Sequence, residues 1–227
     1  MTNFERLKEI CRVACHKRNA CKPGFEALMQ TSSVAGILNV WRDNWNDVFE
    51  SKYADIMANE ITGIYADMRD DFNASNVFVN EPTDKGLLIV TASQEVEPSP
   101  ITVSGRAKCY IFDSGSVIAT DDAEVYCRDE KAHVVLTGHS QGFFTAGQVE
   151  IRNYAKAIGT FTGQCYNAAY VILRGGTVID HGHLGISAWN DGVVYSNTHK
   201  KIDLHGNARI LPITEFVQSV AVPQQLQ

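Results

Sequence analysis

Apolar residues in the first 75 positions recur at three- and four-residue steps, which is the spacing of a helix that buries one face. One such stripe runs from Phe4 to Ala14 and another from Tyr53 to Phe72. Between them lies SSVAGILNVWRDNWNDVF, where a serine at the start suits a helix N-cap and the stripe includes Trp41 and Trp45. The pattern predicts an α-helical module over residues 1–100, which closes with a short buried strand, LLIV, and a proline-containing linker.

After residue 100 the periodicity changes to eight. The segments GRAKCYIF, DSGSVIAT and DDAEVYCR follow one another from Gly105, and TAGQVEIR, NYAKAIGT and FTGQCYNA continue in step from Thr145. The third place of each segment is small and the fifth is apolar. After a phase shift near residue 170, the spacing of eight resumes from Val178 to Ile210. This makes about thirteen short units, each alternating between two faces as a strand does.

A fixed period with small residues at equivalent places indicates a narrow coil in which each unit stacks on its counterpart one turn away. A meander of hairpins has no reason to keep such a period. We therefore predict an α+β chain in which a β-solenoid spans residues 101–212, between the helical module and a C-terminal tail at 213–227. Eight residues make one strand and one corner, so a coil holds two units or three; the sequence leaves both open.

These units resemble the octad repeats, roughly A-x-V-x-A-x-D/G-x, of β-solenoid proteins from bacteria and their phages. The N-terminal segments CKPGFEALM and WRDNWNDVFESKYADI, followed by such repeats, look like proteins of gut Bacteroides-type genomes and mobile elements. The resemblance covers most of the chain and implies a fold and a microbial setting. It implies no catalytic residues and no cofactor.

The segment Gly138-His139-Ser140-Gln141-Gly142 matches G-x-S-x-G, the nucleophile elbow of lipases and esterases. An elbow requires a helix after the serine, whereas FFTAGQVEI alternates as a strand does. Chain order does supply acids and histidines that could complete a triad, namely Asp180, Asp191, His199 and His205. Because Ser140 falls within the eight-residue lattice, we interpret it as a corner or coil residue and expect no catalytic site.

Two groups of residues could bind a metal. Cys11, Cys15, His16 and Cys21 form C-x3-C-H-x4-C, in which the first two cysteines share a helix face. His181 and His183 form H-x-H on a predicted strand, near Asp180, Asp203 and His205 in the repeat. Neither spacing matches a strong metal signature, and we interpret the first group as core thiols and the second as a polar stripe.

The net charge of −6 is concentrated in residues 43–97, which carry twelve acidic and three basic residues. No basic patch suits a phosphate backbone, so we expect no direct nucleic-acid binding. No apolar run is long enough for a membrane helix, and the charged N-terminus does not resemble a signal peptide. We therefore expect a cytoplasmic protein with reduced cysteines.

These features favour a non-enzymatic interaction or assembly protein of bacterial or phage origin, with an unknown protein partner or a second copy of itself. The candidate interaction residues are aromatic or acidic: Trp41, Trp45, Asp67, Asp70, Asp71, Tyr126, Tyr154 and Trp189. One alternative is an anti-defence inhibitor that binds a host effector through the acidic helices. Another is an enzyme, either a hydrolase at Ser140 or a carbohydrate-active solenoid.

Overall fold

The computed structural model describes residues 1–18, 22–45, 54–91 and 99–220, with side chains for all of these except 14–18, 54–57 and 217–220. Helices come first and parallel strands follow. The helices are α1 Asn3–Arg18, α2 Lys22–Gln30, α3 Val34–Asp43 and α4 Ala54–Ala74. A further helix, α5 Ile213–Val220, follows the last strand.

The helical module forms where the apolar stripes predict it. Ser33 is the N-cap of α3: its backbone is extended, and its hydroxyl accepts a hydrogen bond of 3.1 Å from the amide of Gly36. The stripes of α1, α3 and α4 meet in one core that includes Leu7, Leu38 and Phe72, all fully buried. The predicted helical module is thereby confirmed.

Fifteen parallel strands then wind into a β-solenoid of about seven turns, which confirms the predicted fold class. The strands are β1 Val77–Val79, β2 Leu87–Val90, β3 Ile101–Val103, β4 Lys108–Ile111, β5 Ser116–Ala119, β6 Glu124–Cys127, β7 His133–Leu136, β8 Gln141–Phe144, β9 Gln148–Ile151, β10 Lys156–Cys165, β11 Ala169–Asp180, β12 His183–Ala188, β13 Val193–Tyr195, β14 Ile202–Leu204 and β15 Arg209–Leu211. The sheet starts at Val77, ahead of the boundary drawn at residue 101, because β1 pairs with β2 and β2 pairs with β4.

Each coil contains two units, which settles the coil length that the sequence left open. Strands β2, β4, β6 and β8 stack along one side, which we call face A, and β3, β5, β7 and β9 stack along the other, face B. Cys109 pairs with Val125 and Val117 pairs with Val134, so a coil is sixteen or seventeen residues long here. Face A ends with β12 and β14, and face B with β13 and β15.

The phase shift near residue 170 coincides with two long strands, β10 and β11, that run across both faces. Lys156–Gly159 of β10 pairs with β8 on face A, and Thr162–Cys165 pairs with β9 on face B. The chain bends at Gly159, whose φ of 131° is open to glycine and rarely to other residues. Paired residues of β10 and β11, such as Lys156 and Tyr170, are fourteen or fifteen positions apart, so the coil is shorter here and the eight-residue period slips.

Small residues occupy the third place of the units because that place lies at a corner and points into the core. Ala107, Ala123 and Ala155 immediately precede strands of face A and are fully buried. Asp121, Gly138 and Asn153 occupy the corners before such strands with positive φ, a conformation that aspartate, asparagine and glycine tolerate best.

The helical module packs on the outward side of the first coils. Leu87, Ile89 and Tyr110 of face A belong to the helical core, whereas Leu88 and Cys109 point into the solenoid core. At the opposite end, β14 and β15 form the last described coil, which we call the open end. No described strand pairs with their far sides.

Candidate functional site

A buried polar network lies at the third-last coil. The Asp180 carboxylate, at the end of β11, is only 5% exposed. It accepts hydrogen bonds from the Ser196 hydroxyl at 2.6 Å, the Gly182 amide at 2.9 Å and the His183 Nδ1 at 2.9 Å. The Cys165 thiol, one coil back, lies 3.6 Å from the same carboxylate. Buried carboxylates persist when donors surround them, and this one has four.

The geometry of this network differs from that of a Ser-His-Asp triad. Ser196 donates to Asp180 and not to the histidine, and the His183 Nε2 lies 2.9 Å from the Lys200 carbonyl oxygen. Both ring nitrogens of His183 therefore face oxygen atoms of Asp180 and Lys200, and neither faces the Ser196 hydroxyl as a triad requires. The network fastens the loop at 196–201 to the corner at 180–183.

A cavity of about 620 Å³ opens beside this network. Most of its lining residues are of polar type, and they include the exposed Lys200 and Lys201. Ile213, at the start of α5, contributes an apolar wall, and its amide lies 3.4 Å from the Asn197 side-chain oxygen.

The H-x-H pair does not form one site. His181 is exposed and stacks on Tyr166 with ring centroids 4.8 Å apart, while His183 points into the buried network. His205 stacks on Trp189, and Asp203 lies outward on β14. Among the described residues no three histidine, cysteine or acidic side chains converge as metal ligands.

The cysteine group near the N-terminus is described only in part. Cys11 is fully buried in the helical core, on the face of α1 that also holds Leu7. The side chains of Cys15, His16 and Cys21 lie outside the described residues.

Ser140 is sealed in the solenoid wall. It is 0% exposed, and its hydroxyl lies 2.8 Å from the Thr137 carbonyl oxygen and 3.3 Å from that of Ala119. The next residue begins β8, so a strand follows the serine where an elbow requires a helix. Ser140 occupies the corner place held by Ala123 and Ala155 in neighbouring coils, as the lattice predicted.

Trp41 of α3 and Trp45, which follows the C-cap residue Asn44, are core residues. Trp41 and Trp45 are both 2% exposed, with ring centroids 6.1 Å apart. Trp45 makes edge-to-face contacts with Tyr110 at 5.7 Å and Phe112 at 5.8 Å. They therefore join the helical module to face A of the solenoid and offer no exposed aromatic surface.

The three aspartates of α4 lie on its exposed side. Asp67 forms an ion pair of 2.8 Å with Arg6 of α1, and Asp70 and Asp71 are exposed to solvent. Exposed pairs of this kind contribute little to stability, so this side of α4 is available to a partner.

The predicted aromatic residues of the solenoid lie in stacked columns. Tyr126 stacks between Tyr110 and Phe143 at 4.6 and 4.9 Å on face A. Tyr154 is 59% exposed and stacks on His139 at a corner, while Trp189 is 43% exposed and stacks on His205 at the opposite corner. The structure therefore places these three in separate columns.

The feature that the residue patterns did not reveal is the open end. Ile202 and Leu204 of β14 and Ile210 of β15 continue the inward columns of the core, but none of them is buried, and Leu204 is 41% exposed. The sequence shows these residues as ordinary repeat positions. Their exposure depends on what lies beyond the last coil.

Within the described part of the chain, no helix is long and apolar enough to cross a membrane. No protein-family model, curated protein or solved structure matches this chain.

Proposed function

We propose that this chain is a non-enzymatic protein-interaction and assembly module of bacterial or phage origin, whose rigid solenoid presents its open end to another polypeptide. The observation that carries the proposal is the contrast between the two ends. Six of the seven residues of β1 and β2 are buried, whereas no residue of β14 or β15 is.

The chemistry of the open end suits a polypeptide better than a small molecule. Inward residues of the last coil, such as Leu204 and Ile210, provide apolar area that is favourable to bury. The far edges of β14 and β15 carry backbone amides and carbonyls with no described strand opposite them. β-strands of another chain satisfy both needs at once, because they bury side chains and complete the hydrogen-bond ladders of the two edges.

The helical module has a complementary role in this proposal. Its core includes Val77, Ile89 and Tyr110, so it covers the outward side of the first coils. The outward side of the first coils is therefore already covered by helices of the same chain, and the last coil is the one left exposed to a partner.

Cross-linking in a lysate of the source cells tests the proposal. An amine-reactive cross-linker should join Lys200 or Lys201, beside the open end, to another polypeptide chain. Leu204→Gln should abolish those links, because it removes exposed apolar area from the end. Tyr170→Gln is the matched control, since Tyr170 is 45% exposed on face A away from the end. Cross-links that survive Leu204→Gln would contradict the proposal.

The acidic side of α4 supports a second candidate, an inhibitor that occupies a basic effector. The exposed Asp70 and Asp71, beside the Asp67–Arg6 pair, are the observation that favours it. In this case the cross-links should come from Lys22 of the helical module, and charge reversal at Asp67, Asp70 and Asp71 should abolish the complex. Complex formation unchanged by that reversal would exclude this candidate.

A further inference from the structure

The open end has a polarity that restricts what can cover it. Its two edges run in opposite directions, because the chain passes along face A in β14 and returns along face B in β15. A partner must therefore offer two strands, also of opposite direction and separated by the thickness of the solenoid. At the first coil the helical module covers the outward side and most of β1 and β2 is buried, so this coil lacks the exposed apolar residues of the open end. Head-to-tail stacking of copies is therefore disfavoured.

We infer that the open end binds the open end of a second copy, in a two-fold dimer. This inference rests on the proposed function and names its partner. Rotation by 180° about an axis perpendicular to the solenoid places each edge antiparallel to an edge of the second copy, which is a standard ladder geometry. Two such axes exist. One pairs β14 with β15 of the second copy, and the other pairs β14 with β14 and β15 with β15.

The charges at the open end favour the first arrangement. Asp203 on β14 and Arg209 on β15 are both exposed, and neither forms an ion pair with a described residue. Their strand neighbours Ile202 and Ile210 continue inward columns of the core. When β14 lies antiparallel to β15 of the second copy with these isoleucines opposite each other, Asp203 faces Arg209 of the second copy. Symmetry makes this pair twice.

The second arrangement places like charges together. When β14 pairs with β14 of the second copy and the apolar residues stay inward, Ile202 lies opposite Leu204 and Asp203 lies opposite Asp203. Like charges directly opposite each other in a ladder are destabilising, whereas opposite charges are favourable. The observed residues therefore select the pairing of β14 with β15.

The contact is small, so the dimer should depend on concentration. Each copy contributes two edge strands of three residues. Stable interfaces typically bury about 1,600 Å² in total, and an end of this size is expected to fall below that. We therefore expect monomers when the protein is dilute and dimers when it is concentrated.

Sedimentation equilibrium of the purified full chain over a wide range of concentration tests the inference. The mass should rise from 25.1 kDa towards twice that value. Asp203→Arg and Arg209→Asp should each raise the dissociation constant about tenfold, because two attractive pairs become two repulsive ones. The double variant, with both changes, should restore the wild-type constant. Asp122→Arg, at an exposed corner far from the end, is the matched control and should have no effect.

The outcomes separate the possible arrangements. A dimer weakened by both single changes and restored by the double change supports the pairing of β14 with β15. A dimer whose dissociation constant is unchanged by the single changes overturns it. If β14 paired with β14 of the second copy, residue 203 would face its own counterpart, so like charges would lie opposite each other before and after the change. A monomer at every concentration also overturns the inference. The proposed function would then be tested separately by the cross-linking experiment, with a different protein bound at the open end.

Discussion

The buried carboxylate of Asp180 should be a main determinant of stability in the last coils. Asp180→Ala removes the acceptor of three close donors: the Ser196 hydroxyl, the Gly182 amide and the His183 Nδ1. A buried donor left without a partner costs about 1–3 kcal/mol. The Ser196 hydroxyl can rotate, and water can enter from the adjacent cavity, so the three costs do not add in full. We expect a loss of about 3 kcal/mol in the free energy of unfolding, the cost of one or two unpaired buried donors.

Urea unfolding followed by far-ultraviolet circular dichroism measures this loss, and hydrogen exchange shows where it falls. Exchange should accelerate in β12 and β13, which flank the network, and remain unchanged in the helical module. Asp191→Ala is the control, because Asp191 is exposed and accepts a long hydrogen bond of 3.4 Å from the Asn207 side chain. It should cost less than about 0.5 kcal/mol.

Two results would refute this reasoning. If Asp180→Ala unfolded within about 0.5 kcal/mol of the wild type, the four donors would not depend on the carboxylate. If Asp180→Asn, which keeps the shape of the side chain but only one acceptor oxygen, unfolded like the wild type, shape and not the two acceptor oxygens would matter. We expect Asp180→Asn to be intermediate, because one oxygen remains to accept from Ser196.

Two further predictions follow from buried side chains of the repeats. Ser140→Ala should lower the free energy of unfolding by only about 1 kcal/mol, since alanine holds the equivalent place in neighbouring coils. A fluorophosphonate probe should not label Ser140 of the wild type, because this residue is fully buried. Labelling of the native protein would contradict that burial. Burial raises the pKa of the thiols of Cys109, Cys127 and Cys165, that of Cys127 to about 12. The unfolded chain ionises these thiols near their ordinary value of 9.0 while the native protein keeps them protonated, so the free energy of unfolding should fall as pH rises above 9. Replacement of all three by alanine should flatten that slope in urea titrations at pH 8 and pH 10, and an unchanged slope would assign it to other groups.

The period of eight was sufficient to predict the solenoid because each unit repeats the same local requirements. A corner needs a residue that tolerates positive φ, such as Asp121 or Asn153, and the next inward place needs a small side chain, such as Ala123 or Ala155. These requirements are local, and so they are visible in the sequence. The number of units in a coil is not local, because it depends on which strand lies beside which, and the structure was needed to fix it.

The polar network had a signal that the repeat analysis could have used. Asp180 pairs with Cys165 and therefore occupies an inward place, and Ser196 lies sixteen residues further, one coil on. Two polar residues at the same inward place of successive coils indicate a buried hydrogen bond. The open end had no such signal. Leu204 is equivalent to the buried Ala188, and its exposure depends on the absence of a further described coil.

The serine motif illustrates how the same lattice can imitate a catalytic signature. Gly138 is at a corner with φ 68°, the conformation that Asp121 and Asn153 adopt in the neighbouring coils. Ser140 fills the small inward place, and Gly142 is inward on β8, where a Cβ atom would come within 2.4 Å of the Phe144 ring. Each fixed residue of G-x-S-x-G therefore has its own reason in the solenoid. The corner requires a residue that tolerates positive φ, and the core requires small side chains at Ser140 and Gly142. Packing in the solenoid therefore explains the motif without a catalytic role.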